Sequence, residues 1–347
     1  MRIIHPLWPV LLGLAFFMSA CGPSQVPLVQ LNGPTMGSTY HLTLVSPAQG
    51  LPADAQAQID LLLQRMDKAF STYRNDSEIA RFNHSQDTHP QTVSEDVVTV
   101  AKAALQLGKD SEGALDVTLG PLLRLWGFGG HDKPAALPSD AAIAAAKAQT
   151  GLAKLVVAET TLTKTDPTLE IDFSAVVAGY AADQLALLVE SWGVTDYLLE
   201  VTGEMRVKGR HPAGRPWRIA VEKPVAGSER AVERVVELHD IGVATSGDYR
   251  NFYVVDGKRY SHTLDPLTGR PIEHLMVSVT VLHPSAMVAD GWATALMAMG
   301  PERGREMATR HELAVLMILK EGEVFTEWAS PAMQPYLTAA GAEPAKE

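Results

Sequence analysis

Apolar and polar residues recur along the chain with two different periods, and these periods predict which segments are helices and which are strands. Trp292, Leu296 and Met299 recur at spacings of four and three, which predicts a buried helix. Asp290 and Thr294 are four residues apart in the same segment. Residues at this spacing lie on one face of a helix, so a carboxylate and a hydroxyl share a patch of an otherwise apolar surface.

Other segments with a clear period predict the rest of the fold. A helix is predicted over residues 52–70, and Ser94 and Ser139 are typical N-caps of two further helices, the first of which extends to about residue 110. Strands are predicted over residues 38–45, 154–158, 169–172, 197–201, 217–221, 235–239, 277–282 and 313–318. We see no internal repeat. The mixture favours an α+β fold, in which mixed short-strand sheets and scattered helices form a single unit of two lobes.

Composition and missing motifs exclude several classes of protein. The chain has 347 residues, of which 46% are apolar, and a net charge of −11 at pH 7. This length allows a large core, and the acidic balance gives no basic face for nucleic acid. Phosphate-loop, HExxH and GxSxG motifs are absent, and the glycines at residues 127–130 lack the third spaced glycine of a dinucleotide fingerprint.

The N-terminus has the pattern of a secretory signal. Arg2 precedes an apolar run over residues 7–18, which is too short to span a membrane, so we expect a signal peptide over residues 1–20. Cys21, the only cysteine, follows Ser19 and Ala20. This position resembles a bacterial lipobox, in which the cysteine is acylated, for example with palmitate; simple cleavage of a secreted protein is the alternative. Because Gly22 follows rather than aspartate, we favour a lipid anchor on the periplasmic face of the outer membrane.

The remaining boundaries follow from this assignment. We expect a tether over residues 21–30, one catalytic domain over residues 31–335 and a frayed tail over residues 336–347.

Three carboxylates in apolar surroundings are the main chemical signal. Asp116 lies within an apolar run, Asp172 precedes a predicted helix, and Asp290 lies on the buried one. A buried carboxylate is costly unless it is paired, hydrogen-bonded or bound to a metal, and none of the three has a local Lys or Arg. Each acid alone has a structural alternative; Asp172, for instance, could cap its helix. Together they favour Mg²⁺, which prefers oxygen ligands and completes its shell with phosphate oxygens. The sequence therefore predicts a Mg²⁺-dependent enzyme that handles a phosphate or pyrophosphate.

Six segments, taken in order, carry a family resemblance. They are residues 36–39 (MGST), 71–73 (STY), 116–121 (DVTLGP), 244–250 (ATSGDYR), 261–271 (SHTLDPLTGRP) and 289–297 (ADGWATALM). With this spacing the chain resembles the FAD:protein FMN transferases, the ApbE family of periplasmic flavin transferases, over residues 31–330. The resemblance implies Mg²⁺-dependent transfer of FMN from FAD to a Thr or Ser hydroxyl of a target protein, with release of AMP. Such a phosphoryl-type transfer depends on positioning and on charge neutralisation.

The resemblance also assigns roles to individual residues. Asp290, Thr294 and the backbone carbonyl of Ala175 match the Mg²⁺ ligands, and His262 matches a general base, with a loop hydrogen bond as its alternative role. The positions that match FAD contacts are Met36, Tyr73, Ala114, Leu115, Asp116, Asp172, Ala178 and Leu264.

Four other positions qualify this assignment. Ala178 stands where family members often carry Glu or Lys, and Ala293 stands where some carry a second Asp, so a side-chain contact to FAD and a metal ligand are missing. Arg250 is a candidate contact to phosphate or target. Asp248 and Arg250 could instead serve as loop scaffolding.

Two other functions remain open at this point. The same site could give FMN to water, as an FAD pyrophosphatase, or the chain could be a non-enzymatic flavin-binding lipoprotein; the presence of Asp290 argues against the second. The resemblance implies an acceptor such as a subunit of a Na⁺-pumping NADH:quinone reductase, a related electron-transfer complex or a periplasmic flavin-carrying protein.

Overall fold

The computed structural model describes residues 27–223, 231–247, 251–322 and 324–337. Its helices are α1 (Ala55–Phe70), α2 (Glu78–His84), α3 (Glu95–Asp110), α4 (Gly120–Trp126), α5 (Asp140–Gln149), α6 (Ser174–Ser191), α7 (Ala286–Met299) and α8 (Pro301–Arg310), with short 3-10 helices at Leu152–Lys154 and Pro331–Tyr336. The predicted signal peptide, Cys21, Asp248 and Arg250 lie outside the described residues.

The strands of the described residues belong to one large sheet and several small ones. In chain order they are β1 (Leu28–Thr35), β2 (Ser38–Val45), β3 (Gln91–Thr92), β4 (Leu155–Val157), β5 (Thr161–Lys164), β6 (Tyr197–Val201), β7 (Glu204–Lys208), β8 (Trp217–Lys223), β9 (Ala231–Leu238), β10 (Ile241–Gly247), β11 (Phe252–Val255), β12 (Lys258–Ser261), β13 (Leu264–Asp265), β14 (Arg270–Pro271), β15 (Met276–His283), β16 (Ala314–Glu321) and β17 (Val324–Ala329).

The large sheet is antiparallel and has eight strands, in the order β1-β2-β6-β7-β10-β15-β16-β17. The small sheets are β3-β5-β4, β8-β9, β11-β12 and β13-β14. The predicted α+β class is confirmed, although the main sheet is larger than the short-strand sheets that we expected. The reason is that strands far apart in sequence, such as β2 and β6, pair with each other.

Helices cover one face of the large sheet and enclose the main core. There α7 packs on β10 and β15, and α6 packs against α7. Gly179 of α6 permits this approach, because a Cβ at its position would lie 2.3 Å from the carbonyl oxygen of Ala286. The two helix backbones therefore nearly touch beside Asp290.

A hairpin and a short helix cover the opposite face. The β8–β9 hairpin and the 3-10 helix Pro331–Tyr336 bury Trp217, Val236 and Met333 against Val207 of the large sheet. The sheet is thus buried on both faces, which holds the ends of its central strands in place. Within the described residues, no helix combines the length and the apolar character needed to cross a membrane.

Several local predictions are confirmed. β2 and β6 have the predicted bounds, and the Ser94 and Ser139 side chains accept the backbone N–H of Val97 and Ala142, as N-caps do. The helix predicted over residues 52–70 starts at Ala55. The helix predicted from Trp292, Leu296 and Met299 is α7; it starts at Ala286, so Asp290 lies in its second turn.

The predicted strand over residues 169–172 is wrong. No strand forms there, because other groups satisfy its backbone: the Asn83 side chain bonds both the N–H and the carbonyl of Ile171, and the N–H of Asp172 donates to the carbonyl of Val117. The polar residues 71–83 that follow the helix predicted over 52–70 favour a loop, but their second half forms α2, which Ser77 caps.

Both predicted terminal boundaries also need correction. β1 begins at Leu28 and pairs with Val45, so residues 28–30 belong to the sheet rather than to a tether. At the other end, Tyr336 lies in the 3-10 helix and Leu337 forms a bridge with Val236. These two residues are therefore not part of a frayed tail.

Candidate active site

Two cavities that share a wall contain every described residue for which the sequence predicted a role. The first, which we call the polar cavity, has a volume of about 350 Å³. Among its lining residues are Tyr73, Ala114, Leu115, Asp116, Asp172, Ala175, His262, Leu264, Asp290 and Thr294. The second, which we call the adjoining cavity, has a volume of about 610 Å³ and is lined in part by Met36 and Ala178. Thr72, Tyr73, Asp172 and Ser174 line both cavities.

Asp290 and Thr294 reach the polar cavity from α7, as their spacing predicts. The Asp290 side chain is buried, and its Oδ2 accepts the backbone N–H of Gly179 at 3.1 Å. Among the described residues, no Lys or Arg forms an ion pair with it. Burial raises the pKa of Asp290 well above its usual range, and the negative charge of Glu204 raises it further. The Thr294 hydroxyl lies 3.3 Å from that of Ser246 on β10.

The carbonyl of Ala175 lies in the first turn of α6, next to this carboxylate. In a regular helix the N–H of Gly179 donates to the carbonyl of Ala175, four residues earlier. Here that N–H also donates to Asp290, so the carboxylate competes for the donor. Ala175 itself lines the polar cavity. The three predicted metal ligands share one region because Gly179 lets α7 approach α6.

The other two acids have different surroundings. Asp116 Oδ1 accepts the N–H of Thr118 at 2.7 Å and its hydroxyl at 2.5 Å, and burial raises the pKa of Asp116. Asp172 Oδ1 accepts the N–H of Ser174, the first residue of α6, at 2.7 Å. The N-cap residue of α6 is Phe173, so Asp172 bonds the start of the helix without being its N-cap. In the described part of the chain, no group of three or more His, Cys, Asp and Glu side chains could hold a metal ion. The three acids therefore do not form one acidic metal cluster.

His262 lies on the loop after β12 and is half-buried. Its Nδ1 is 2.9 Å from the carbonyl oxygen of Asn251. A carbonyl only accepts, so Nδ1 carries the proton of the neutral ring and Nε2 keeps its lone pair. Burial lowers the pKa of His262 from its usual value of 6.5; the bond to Asn251 opposes this shift, and Arg259 adds to it. The ring is therefore neutral at pH 7 and can accept a proton at Nε2.

A row of aromatic rings supports this histidine. Trp126 stacks on Tyr260, Tyr260 on Tyr253, and Tyr253 on Phe128, with ring centroids 5.2–5.9 Å apart. Phe128 then meets the His262 ring edge to face at 6.4 Å. The stack joins α4 to the β11–β12 hairpin, so it fixes the ring that faces the cavity.

Met36 and Tyr73 contribute apolar surface to the adjoining cavity. Met36 and Gly37 form the two-residue turn between β1 and β2, with φ angles of 46° and 76°. Such a turn needs two positive φ angles, which glycine or asparagine tolerates better than methionine. Strain of this kind is common at ligand sites. The Tyr73 side chain is 77% exposed, so its ring is open to a flat ligand.

Some residues of the polar cavity were not identified from the sequence, and the metal ligand expected to be missing at Ala293 is indeed missing. Glu204, Ser246 and Asn251 line the cavity. Ser246 belongs to the motif at residues 244–250 and Asn251 directly follows it, whereas Glu204 follows a Thr-Gly turn that carries no motif. Ala293 is fully buried and offers no side-chain ligand, in line with the departure noted above.

Comparisons with known proteins identify a family and several relatives of this chain. The family model described as "ApbE family" matches residues 36–317. The FAD:protein FMN transferase of Vibrio cholerae serotype O1 is 44% identical over 332 residues, which cover 95% of this chain and 99% of the relative. That of Salmonella typhimurium is also 44% identical, over 94% of this chain and 96% of the relative.

Solved structures are similar as well. The flavin transferase ApbE from Vibrio cholerae matches 90% of this chain and 99% of its own, with a TM-score of 0.83 and 44% identity. The apo flavinyl transferase ApbE of Pseudomonas stutzeri matches 90% of this chain and 98% of its own, with a TM-score of 0.82 and 41% identity.

Proposed function

The chain belongs to the ApbE family and is a transferase that moves FMN from FAD to a protein, and we propose that it uses Mg²⁺ and a Thr or Ser hydroxyl as the acceptor. The observation that carries the proposal is the meeting of Asp290, Thr294, Ala175 and His262 in one polar cavity. The bond formed is a phosphoester, and the leaving group is AMP.

The residues around Asp290 fit a magnesium ion. They offer a carboxylate, a hydroxyl and a backbone carbonyl, which are hard oxygen donors. The carboxylate is buried beside the negative charge of Glu204 without a described cationic partner, an arrangement that a bound cation would stabilise. When bound, Mg²⁺ would supply charge neutralisation on the pyrophosphate. With Ala293 in place of a second acid, water and phosphate oxygens would have to supply the remaining ligands.

His262 serves as the general base in this proposal. Its Nε2 takes the proton of the acceptor hydroxyl while the hydroxyl oxygen attacks the FMN-side phosphorus. The bond from that phosphorus to the bridging oxygen breaks, and the electron pair leaves with AMP. The bond from Nδ1 to Asn251 sets the tautomer that this step requires.

The two cavities accommodate the two parts of FAD around a shared wall. Met36 and Tyr73 offer apolar and aromatic surface for a flat ring. Asp116 and Asp172 accept hydrogen bonds from ring or ribose donors, and Ala114, Leu115 and Leu264 line the polar cavity beside them. Ala178 leaves space in the adjoining cavity where a longer side chain would contact FAD.

The test is to incubate the purified protein with FAD, Mg²⁺ and a candidate acceptor and then to weigh the acceptor. Transfer adds one FMN phosphoryl unit to the acceptor and releases an equal amount of AMP. Free FMN with AMP but no labelled acceptor would instead identify an FAD pyrophosphatase. FAD that is bound but not cleaved would identify a flavin-binding protein. An acceptor whose Thr or Ser is replaced by Ala is the matched control.

We also propose that Cys21 anchors the enzyme by lipid to the periplasmic face of a bacterial membrane, and we favour the outer membrane. The support is the small residues before Cys21 and the signal pattern over residues 1–20. From this position the enzyme would meet exported acceptors, such as a subunit of a Na⁺-pumping NADH:quinone reductase or a related electron-transfer complex.

A further inference from the structure

The segment over residues 169–172 is buried but has no strand beside it. Leu169 and Ile171 are fully buried, and Asp172 at its end reaches both cavities. In a sheet, a neighbouring strand would bond the backbone on each side. Here a single side chain takes the place of that strand. The Asn83 amide donates from Nδ2 to the carbonyl of Ile171 at 2.8 Å, and its Oδ1 accepts the N–H of Ile171 at 2.8 Å.

A buried lysine holds Asn83 in this position. Lys164 has no exposed surface, and its Nζ donates to the carbonyls of Ser85 at 2.8 Å, Leu169 at 3.1 Å and Asn83 at 3.4 Å. It thus joins the end of α2 to the start of the segment. Lys164 thus bonds the backbone of Asn83, while the side-chain amide of Asn83 bonds Ile171.

The segment in turn connects the two acids that face FAD. The N–H of Asp172, directly after Ile171, donates to the carbonyl of Val117 at 2.8 Å, and Val117 follows Asp116. A shift of Ile171 would therefore move Asp172 and loosen its bond to the Asp116 loop. Neither Asn83 nor Lys164 is among the residues that line the polar cavity.

We propose that Asn83 is a positioning residue for FAD: its amide places Asp172, and through Val117 the Asp116 loop, without touching the substrate. This inference rests on the proposed contact between Asp172 and FAD. The two acids are proposed to bind FAD equally well in the ground state and in the transition state. Loss of Asn83 should therefore weaken FAD binding more than it lowers the rate of transfer from bound FAD.

The test is a double-mutant cycle with Asn83→Ala and Asp172→Ala, read by the Kd for FAD, by KM and kcat for transfer, and by Tm. Asn83→Ala should raise Kd and KM for FAD by about 3- to 10-fold, the equivalent of about one hydrogen bond, with kcat little changed. In the Asp172→Ala background, Asn83→Ala should raise Kd by less than it does in the wild type, because only the effect on the Asp116 loop is left. Asn83→Asp keeps the size and the acceptor of Asn83 but loses the donor, so it should also raise the Kd for FAD. It provides the same test if the alanine variant does not fold.

Ser330→Ala is the matched control for a purely structural loss. Ser330 is also buried and bridges two backbone groups, the carbonyl of Leu313 at 2.6 Å and the N–H of Val315 at 2.9 Å, and it lines neither cavity. This variant should lower Tm and leave the Kd for FAD unchanged.

Two results would overturn the inference about Asn83 alone: a normal Kd in Asn83→Ala while Asp172→Ala binds FAD weakly, or independent, multiplying effects of the two substitutions. A normal Kd in Asp172→Ala would refute the FAD contact as well, and the role of Asn83 with it. Neither result would contradict the proposed function, which depends on whether the wild-type protein transfers FMN.

Discussion

Replacing Asp290 with asparagine should stabilise the metal-free protein while it abolishes most metal-dependent transfer. The side chain is only 6% exposed, and among the described residues it accepts one hydrogen bond, from Gly179, and has no cationic partner. Burial and the charge of Glu204 both raise its pKa. Asparagine has the same shape and keeps the oxygen that accepts from Gly179, so the substitution removes a charge and little else.

The size of the effect follows from the cost of an uncompensated buried group. That cost is about 1–3 kcal/mol for a polar group and larger for a charge. Asp290→Asn should therefore raise the free energy of unfolding of the metal-free protein by at least about 1–3 kcal/mol. In a protein of this size about 1 kcal/mol moves Tm by roughly 2 °C, which gives a rise of about 2–6 °C. The pKa of Asp290 is higher in the folded protein than in the unfolded chain, where it is 3.8. The wild type therefore loses stability as the pH increases above 3.8. The advantage of Asp290→Asn should therefore shrink at lower pH.

The assay compares the two proteins by thermal unfolding in EDTA at several pH values and by AMP release with FAD and Mg²⁺. We expect a higher Tm in EDTA and a loss of turnover of about 10- to 100-fold or more, because losses of even the groups that support metal ligands reach that range. A lower Tm in EDTA would show that the carboxylate is already well satisfied without metal. Near-normal turnover at low Mg²⁺ would refute its role as a ligand.

Four further predictions concern the base, the pH dependence of the reaction, the hydroxyl and the anchor. His262→Ala should lower the single-turnover transfer rate by about 10²- to 10⁴-fold with little change in FAD affinity or Tm, and parallel losses of all three would reduce His262 to a loop support. Since burial lowers the pKa of His262 below 6.5, the transfer rate of the wild type should rise with pH around a midpoint below 6.5, and a midpoint above pH 7 would contradict the assignment. Thr294→Val should reduce Mg²⁺-dependent AMP release less than Asp290→Asn does, and an equal or larger loss would argue against their relative roles. Cys21→Ser should release the protein into the soluble periplasmic fraction or leave it unprocessed, as fractionation and mass would reveal; a processed variant that stays on the membrane would count against lipidation.

Local sequence patterns were sufficient for most individual elements. The period of α7 put Asp290 and Thr294 on one face, and Ser94 and Ser139 marked helix starts, because these signals depend on residues within one or two turns of each other. The order of the six motifs indicated the family. The strand expected at residues 169–172 failed because its apolar character reflects burial alone, and burial does not reveal whether a strand or the Asn83 amide bonds the backbone.

Only the tertiary structure decided which of these elements meet. Glu204 had no motif around it, and it lines the polar cavity because β6 and β7 turn back at Thr202 and Gly203 inside the large sheet. Asn83 and Ile171 are 88 positions apart, and Gly179 and Asp290 are 111 apart. Such contacts form when the gain from burying both partners exceeds the entropy lost in closing the loop between them. That balance depends on the whole core, so the sequence by itself determined the parts of the site, and packing determined their arrangement.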